Sequence, residues 1–264
     1  NQYLEIYDTA TNEEVEKLYE EAAALPEGSE ERTAAFEKYN NAVAAARLKQ
    51  WRNRCVSDGY EPGSTFKIIT LASALDCGAV TLNDHFYCSG SEKFEGRSQI
   101  LSCWRAAGHG SETTAETLQN SCNIAFAHIG LMMGGDNLYD YCRAFGLMEQ
   151  TGIDLPGEAS GLFHSRERLA DNATNGTSYL ISTSFGQTVK PTPIQLVRAV
   201  GAVVNGGYLL EPHIVSEVLD SDGNVVQKNS RTVVRQVISE ETSKTMCGLI
   251  ESVVTEGTAK NAQV

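Results

Sequence analysis

At 264 residues and 28.6 kDa, with 41 % hydrophobic and 21 % charged residues, the chain has a globular composition and enough apolar material for a proper core. A formal net charge of -13 argues against nucleic acid and against an anionic membrane surface as partners. No run reaches the ~18 apolar residues that a membrane-spanning helix needs.

Residues 11–52 read as acidic helices. Thr11 with Glu14 forms a capping-box pattern, Pro26 to Gly28 interrupts the run, and Ser29 caps a second helix rich in Ala, Glu and Lys. This charge run reads as a solvated face without chemistry. Next, "PGSTFK" leads into Ile68, Ile69, Leu71, Ala72 and Leu75, a helical spacing that predicts a helix from Ser64 to Cys77, ended by Gly78. From 84 to 103, "HFYC" and "SQILSC" predict short strands around a turn. Residues 114–132 read as two short helices joined near Asn120 to Asn123, and 136–146 as another. "TGIDLPGEASG" is a turn-rich loop. Thr192, Pro193 and Gln195 supply an N-cap, a first-turn proline and a capping-box partner for a helix through about Asn205. "EPHIVSEVLDSDGNVVQK" predicts a β-hairpin with Asp222-Gly223 at its tip, and Ser239 caps a final helix over 240–255. With no internal repeat or low-complexity linker, one helix-rich α+β domain is expected.

Seven cysteines, Cys55, Cys77, Cys88, Cys103, Cys122, Cys142 and Cys247, are odd in number and form no CxxC pair, which speaks against a zinc site. Cys77, Cys142 and Cys247 fall on apolar helical faces and read as inert core residues. Cys88 and Cys103 bracket a Gly-containing, hairpin-like stretch, so a disulfide between them is open to the protein outside the cytoplasm. None of the five histidines has ligand spacing; His109, in Gly108-His109-Gly110, reads as a loop residue, and no metal is expected.

Ser64 and Lys67 stand three residues apart where the turn gives way to the apolar helix. The plain reading is a serine helix cap after Pro-Gly. The chemical reading is a nucleophile with its base: i and i+3 share a helix face, burial lowers a lysine's pKa, and the helix dipole favours a developing alkoxide. Ser121-Cys122-Asn123 adds a second hydroxyl that could relay a proton and an amide that could bind a substrate amide.

These motifs, and more so the blocks around them, closely resemble class B penicillin-binding proteins, most like the branch of spore-forming Gram-positive bacteria. The blocks are "NRCVSDGYEPGSTFKIITLASALDCG", "FYCSG", "CWRAAGHGSETTAETLQNSCNIAFAHIG", "GLMEQTGIDLPGE" and "SFGQTVKPTPIQLVRAVGAVVNGG". The resemblance covers roughly residues 50–264. It implies a penicillin-binding, serine-β-lactamase-like transpeptidase fold, with residues 1–52 as an acidic helical insertion and 53–264 carrying the motifs. It further implies a D,D-transpeptidase that cross-links peptidoglycan stem peptides through a serine acyl-enzyme and is acylated by β-lactam antibiotics. Ser64 looks like the nucleophile, Lys67 like its base, Ser121 like the proton shuttle and Asn123 like the group that orients the substrate. Cys122 fills the variable position of its motif and needs no role. No cofactor is implied. The resemblance also implies an extracytoplasmic protein, anchored by an N-terminal segment outside this chain and working in a cell-wall synthesis complex.

One departure concerns Lys-Thr-Gly, the family's third motif, which occurs nowhere in the sequence; Lys244-Thr245-Met246 falls in a predicted helix. The chain reads as an excerpt of a longer polypeptide, lacking strands of the central antiparallel sheet at both ends. On that reading half of the oxyanion hole is missing, the 64–77 helix bares an apolar face, and the piece by itself can be inactive. Two alternatives stand beside the transpeptidase: a serine β-lactamase or β-lactam sensor domain, and a non-catalytic cell-wall scaffold.

Overall fold

The computed structural model describes residues 9–171 and 176–263, in two compact units that divide between Arg54 and Cys55. The first unit is a helical hairpin of α1 (Thr9–Ala23) and α2 (Glu30–Trp51). Ser29 caps α2 as its sequence predicts: the Arg32 N–H donates to Ser29 Oγ at 3.1 Å. Thr11 lies inside α1 and not at its N-cap position, because the helix already includes Thr9 and Ala10. The two helices meet through edge-on rings, Tyr19 lying 5.9 Å from Phe36 and 5.4 Å from Tyr39.

The short α3 (Arg54–Ser57) lies at this division, and in the second unit a 3-10 turn (Gly63–Phe66) runs into α4 (Lys67–Asp76). Four short strands follow, β1 (His85–Cys88), β2 (Ser91–Glu92), β3 (Leu101–Ser102) and β4 (Gly110–Thr113). β1 pairs antiparallel with β4, Cys88 opposite Gly110, while β2 pairs with β3. Helices α5 (Thr114–Gln119), α6 (Asn123–Met133), α7 (Gly135–Ala144), α8 (Arg166–Ala170), α9 (Gly176–Ser184) and α10 (Pro193–Val204) come next. The predicted capping box of α10 is present, Thr192 and Gln195 each bonding the other's backbone N–H. The last elements are β5 (Tyr208–Leu210), β6 (Glu217–Leu219), β7 (Val225–Lys228), β8 (Val233–Gln236) and α11 (Glu240–Thr255), which Ser239 caps. β6 and β7 form the predicted hairpin around Asp222-Gly223, and β5 pairs with β8. The unit is thus helix-rich α+β, its described strands gathered in two-stranded antiparallel sheets.

Helix α4 is the centre of the core. Phe66, Ile69, Leu71, Ala72 and Ala74 have no solvent exposure, and α6, α7, α10 and α11 pack around them. Here the structure departs from the sequence reading, which left this helix with a bare apolar face. The apolar sides of the surrounding helices, including Phe126 and Ile129 on α6 and Met246 on α11, close over it instead. Cys142 is buried as expected, but Cys247 is exposed and Cys77 is only partly buried beyond the end of α4. Among the described residues, no helix is long and apolar enough to cross a membrane.

Candidate active site

Ser64 sits in the 3-10 turn, not in the α-helix proper, and its side chain caps neither element. The turn is held from both sides. Thr65 Oγ1 donates to Pro62 O at 2.8 Å, and the Gly63 N–H donates to Gly186 O at 2.9 Å. Gly186, just beyond α9, has φ +80°, and a Cβ there would run into Gly63 O and the Phe66 side chain. Backbone therefore packs on backbone behind an exposed serine hydroxyl.

The residues predicted to work with Ser64 converge on it. Ser121 Oγ donates to Ser64 Oγ at 2.9 Å. Lys67 Nζ donates to Ser121 Oγ at 3.0 Å, to Ser121 O at 2.6 Å and to Asn123 Oδ1 at 2.8 Å. Among the described residues no hydrogen bond joins Lys67 to Ser64 directly; the connection runs through Ser121. Sequence spacing suggested the direct contact, since i and i+3 share a face, but the α5–α6 turn inserts its hydroxyl between them.

Lys67 is 1 % exposed and lies 5.4 Å from the centre of the Phe126 ring. Loss of hydration on burial lowers its pKa from 10.5 to about 8, against attraction by Cys122, Cys103 and Glu112. Roughly one such amine in ten is neutral at pH 7, against a few in ten thousand for an ordinary lysine. The site thus holds a usable base beside two hydroxyls.

Ser121 adopts φ +51°, a left-handed conformation rare for a residue with a side chain. Its neighbours hold it there. Asn120 donates its N–H to Glu116 O at 2.8 Å and its Nδ2 to Glu112 Oε1 at 2.9 Å, while Trp104 Nε1 donates to Asn120 O at 2.8 Å. Sequence reading assigned nothing to Trp104, Glu112, Asn120, Phe126 or Gly186. Only their position inside the resembling blocks could have pointed to them. Lys244-Thr245-Met246 lies in α11, as predicted.

Cys88 and Cys103 are free thiols in this structure. With His109 and Cys122 they form the one metal-ligand cluster found among the described residues, against the turn that carries Ser121 and Asn123.

Comparison with known proteins places this geometry in context. A family profile described as "Penicillin binding protein transpeptidase domain" matches residues 9–264. Stage V sporulation protein D of Bacillus subtilis is 46 % identical over 215 residues, which is 81 % of this chain and 32 % of the relative. The crystal structure of the D,D-transpeptidase domain of a peptidoglycan glycosyltransferase from Eggerthella lenta superposes with a TM-score of 0.75 at 25 % identity, covering 86 % of this chain and 57 % of that one. Penicillin-binding protein A of Mycobacterium tuberculosis, solved as an imipenem acyl-enzyme complex, gives 0.71 at 25 % identity, over 90 % of this chain and 53 % of its own.

Proposed function

The chain belongs to the penicillin-binding protein transpeptidase family, and from that membership we propose that it forms an acyl-enzyme at Ser64 and transfers peptidoglycan stem peptides between strands. The observation that carries the reading is the continuous line from Lys67 Nζ through Ser121 Oγ to Ser64 Oγ, with links of 3.0 and 2.9 Å. Neutral Lys67 accepts the Ser121 proton while Ser121 accepts that of Ser64, and Ser64 Oγ attacks the penultimate D-Ala carbonyl. Reversal of the same line delivers the proton to the departing D-Ala nitrogen as the peptide bond breaks. An amine of a neighbouring stem peptide then attacks the ester, the carbonyl carbon–Oγ bond breaks, and a proton returns to Ser64. Asn123, held by Lys67, orients the substrate amide.

The Ser64 N–H, in the first turn where backbone donors lack helical partners, supports the developing oxyanion. No Lys-Thr-Gly strand offers the second donor here, and one such donor is worth about 10²–10³ in rate, so the full-length protein is the form to assay. β-Lactams enter the same line as acylating agents. An extracytoplasmic site within a cell-wall synthesis complex belongs to the same proposal.

A chromogenic β-lactam mixed with the full-length protein tests it. The expected result is a burst of one equivalent followed by near silence, absent in Ser64→Ala. Steady turnover would instead identify a hydrolase, and no burst in the wild type would leave a scaffold.

A further inference from the structure

Two described residues other than glycine take the left-handed backbone conformation, Ser121 at φ +51° and Thr188 at φ +64°. The first belongs to the relay. The second has no part in it, and a β-branched side chain fits that conformation poorly, whereas glycine takes it without strain. Such strain persists only where neighbours hold it, and it gathers at working sites. Thr188 follows Gly186 by two positions, in the loop between α9 and α10.

This loop lies along the residues ahead of Ser64, the two backbones running in opposite directions. At one end the Tyr60 N–H donates to Pro191 O at 3.1 Å, and at the other the Gly63 N–H donates to Gly186 O at 2.9 Å. A Cβ on Gly59 would stand 2.5 Å from Lys190 O, so backbone meets backbone there as well. Between the two ends Pro62 has no N–H to give. Glu61 closes the gap with its side chain: the Thr188 N–H donates to Glu61 Oε1 at 3.0 Å.

The far side of Thr188 is held too. Its Oγ1 lies 3.0 Å from His164 Nε2, and the centre of the His164 ring is 4.6 Å from that of Tyr179. Leu162 and Lys190 each donate an N–H to the other's carbonyl, at 2.9 and 2.8 Å, and so fix the His164 segment against the loop. Phe163 sets its ring 6.3 Å from that of Phe66, at the end of the nucleophile turn. Three strips of chain, 59–63, 186–191 and 162–164, thus lie side by side, and Thr188 in the middle strip bonds to both others.

The turn depends on such support. It is four residues of 3-10 helix without a side-chain cap, and the Ser121 hydroxyl reaches Ser64 Oγ only while the turn stays in place. We propose that Glu61 and Thr188 are positioning residues that brace the nucleophile turn through the loop after α9. The proposal rests on the acyl-transfer reading and adds two residues to it. Their action is indirect, by holding Gly63 and with it the N–H and Oγ of Ser64. Glu61 is exposed, and a hydrogen bond open to water adds little to folding, so its loss is read in rate and not in stability.

The test is stopped-flow acylation of the full-length protein by a chromogenic β-lactam, with the limiting acylation rate constant separated from the dissociation constant of the complex that precedes it. Glu61→Ala removes the acceptor, and Thr188→Gly relieves the strain while removing the hydroxyl. Each should lower the limiting rate about 10- to 100-fold, the scale of a small misplacement, with the dissociation constant and the melting temperature unchanged. Glu61→Gln, which keeps an acceptor oxygen, and Thr188→Ser, which keeps the hydroxyl, should restore most of the rate. The rise of the slowed rate up to about pH 8 should persist, because Lys67 remains the base. A wild-type rate in Glu61→Ala or in Thr188→Gly overturns the proposal, as does Glu61→Gln as slow as Glu61→Ala. Wild-type protein that is not acylated ends the acyl-transfer reading and this proposal with it, whereas an acylated wild type with unaffected variants ends this proposal alone.

Discussion

Helices α2 and α4 carry lysines in opposite surroundings. Over its 22 residues α2 buries only Ala46, and its Lys38 and Lys49 are exposed. Over ten residues α4 buries seven, Lys67 among them. The first helix owes its form to Ala, Glu and Lys propensity and to a serine cap; the second owes it to packing on all sides. Chemistry follows the second kind, because a cation stripped of water can give up its proton near neutral pH, whereas a solvated one stays charged.

The largest expected effect contrasts the two kinds of lysine directly. Lys67→Met in the full-length protein should slow β-lactam acylation by about 10²–10⁴-fold, the usual worth of a positioned base. Lys38→Met should leave it unchanged, and equal effects of the two would erase the contrast. Leu71→Ala in α4 should cost about 2–5 kcal/mol of unfolding free energy in urea titration, from lost burial and the cavity left behind. Leu48→Ala in α2, at a side chain 68 % exposed, should change it by less than about 0.5 kcal/mol.

The pH profile sharpens the comparison further. With a folded pKa of about 8, the neutral base is depleted below that value, so the acylation rate should rise about tenfold per pH unit up to pH 8 and then level off. A rate flat from pH 6 to 9 would remove Lys67 as the base. The smallest effect belongs to the cap of α2: Ser29→Ala should cost about 1 kcal/mol, read as faster hydrogen exchange in its first turn, with acylation unaffected.

What could be read from the sequence was local. Ser29, Thr192 with Gln195, Ser239 and the Asp222-Gly223 turn each act through residues within a few positions, and all four stand where expected. The serine–lysine pair and the Ser-Cys-Asn turn were legible as chemistry, but their connection was not. Ser121 reaches Ser64 across 57 positions by taking a left-handed conformation that no local pattern announces. Helix α9 was missed because its β-branched "TSYLIST" run disfavours helix; packing against α6 and α8 overrides that preference. The cysteine–histidine cluster was hidden for the same reason as the relay, since its members lie on separate elements and meet only in the folded chain.

The most direct test of the central claim is where a β-lactam bonds to the protein. Full-length protein incubated with benzylpenicillin, then digested and mapped by tandem mass spectrometry, should carry a single penicilloyl adduct on Ser64 of the "PGSTFK" peptide. An adduct on any other residue, or none on a folded wild-type protein, would contradict the account.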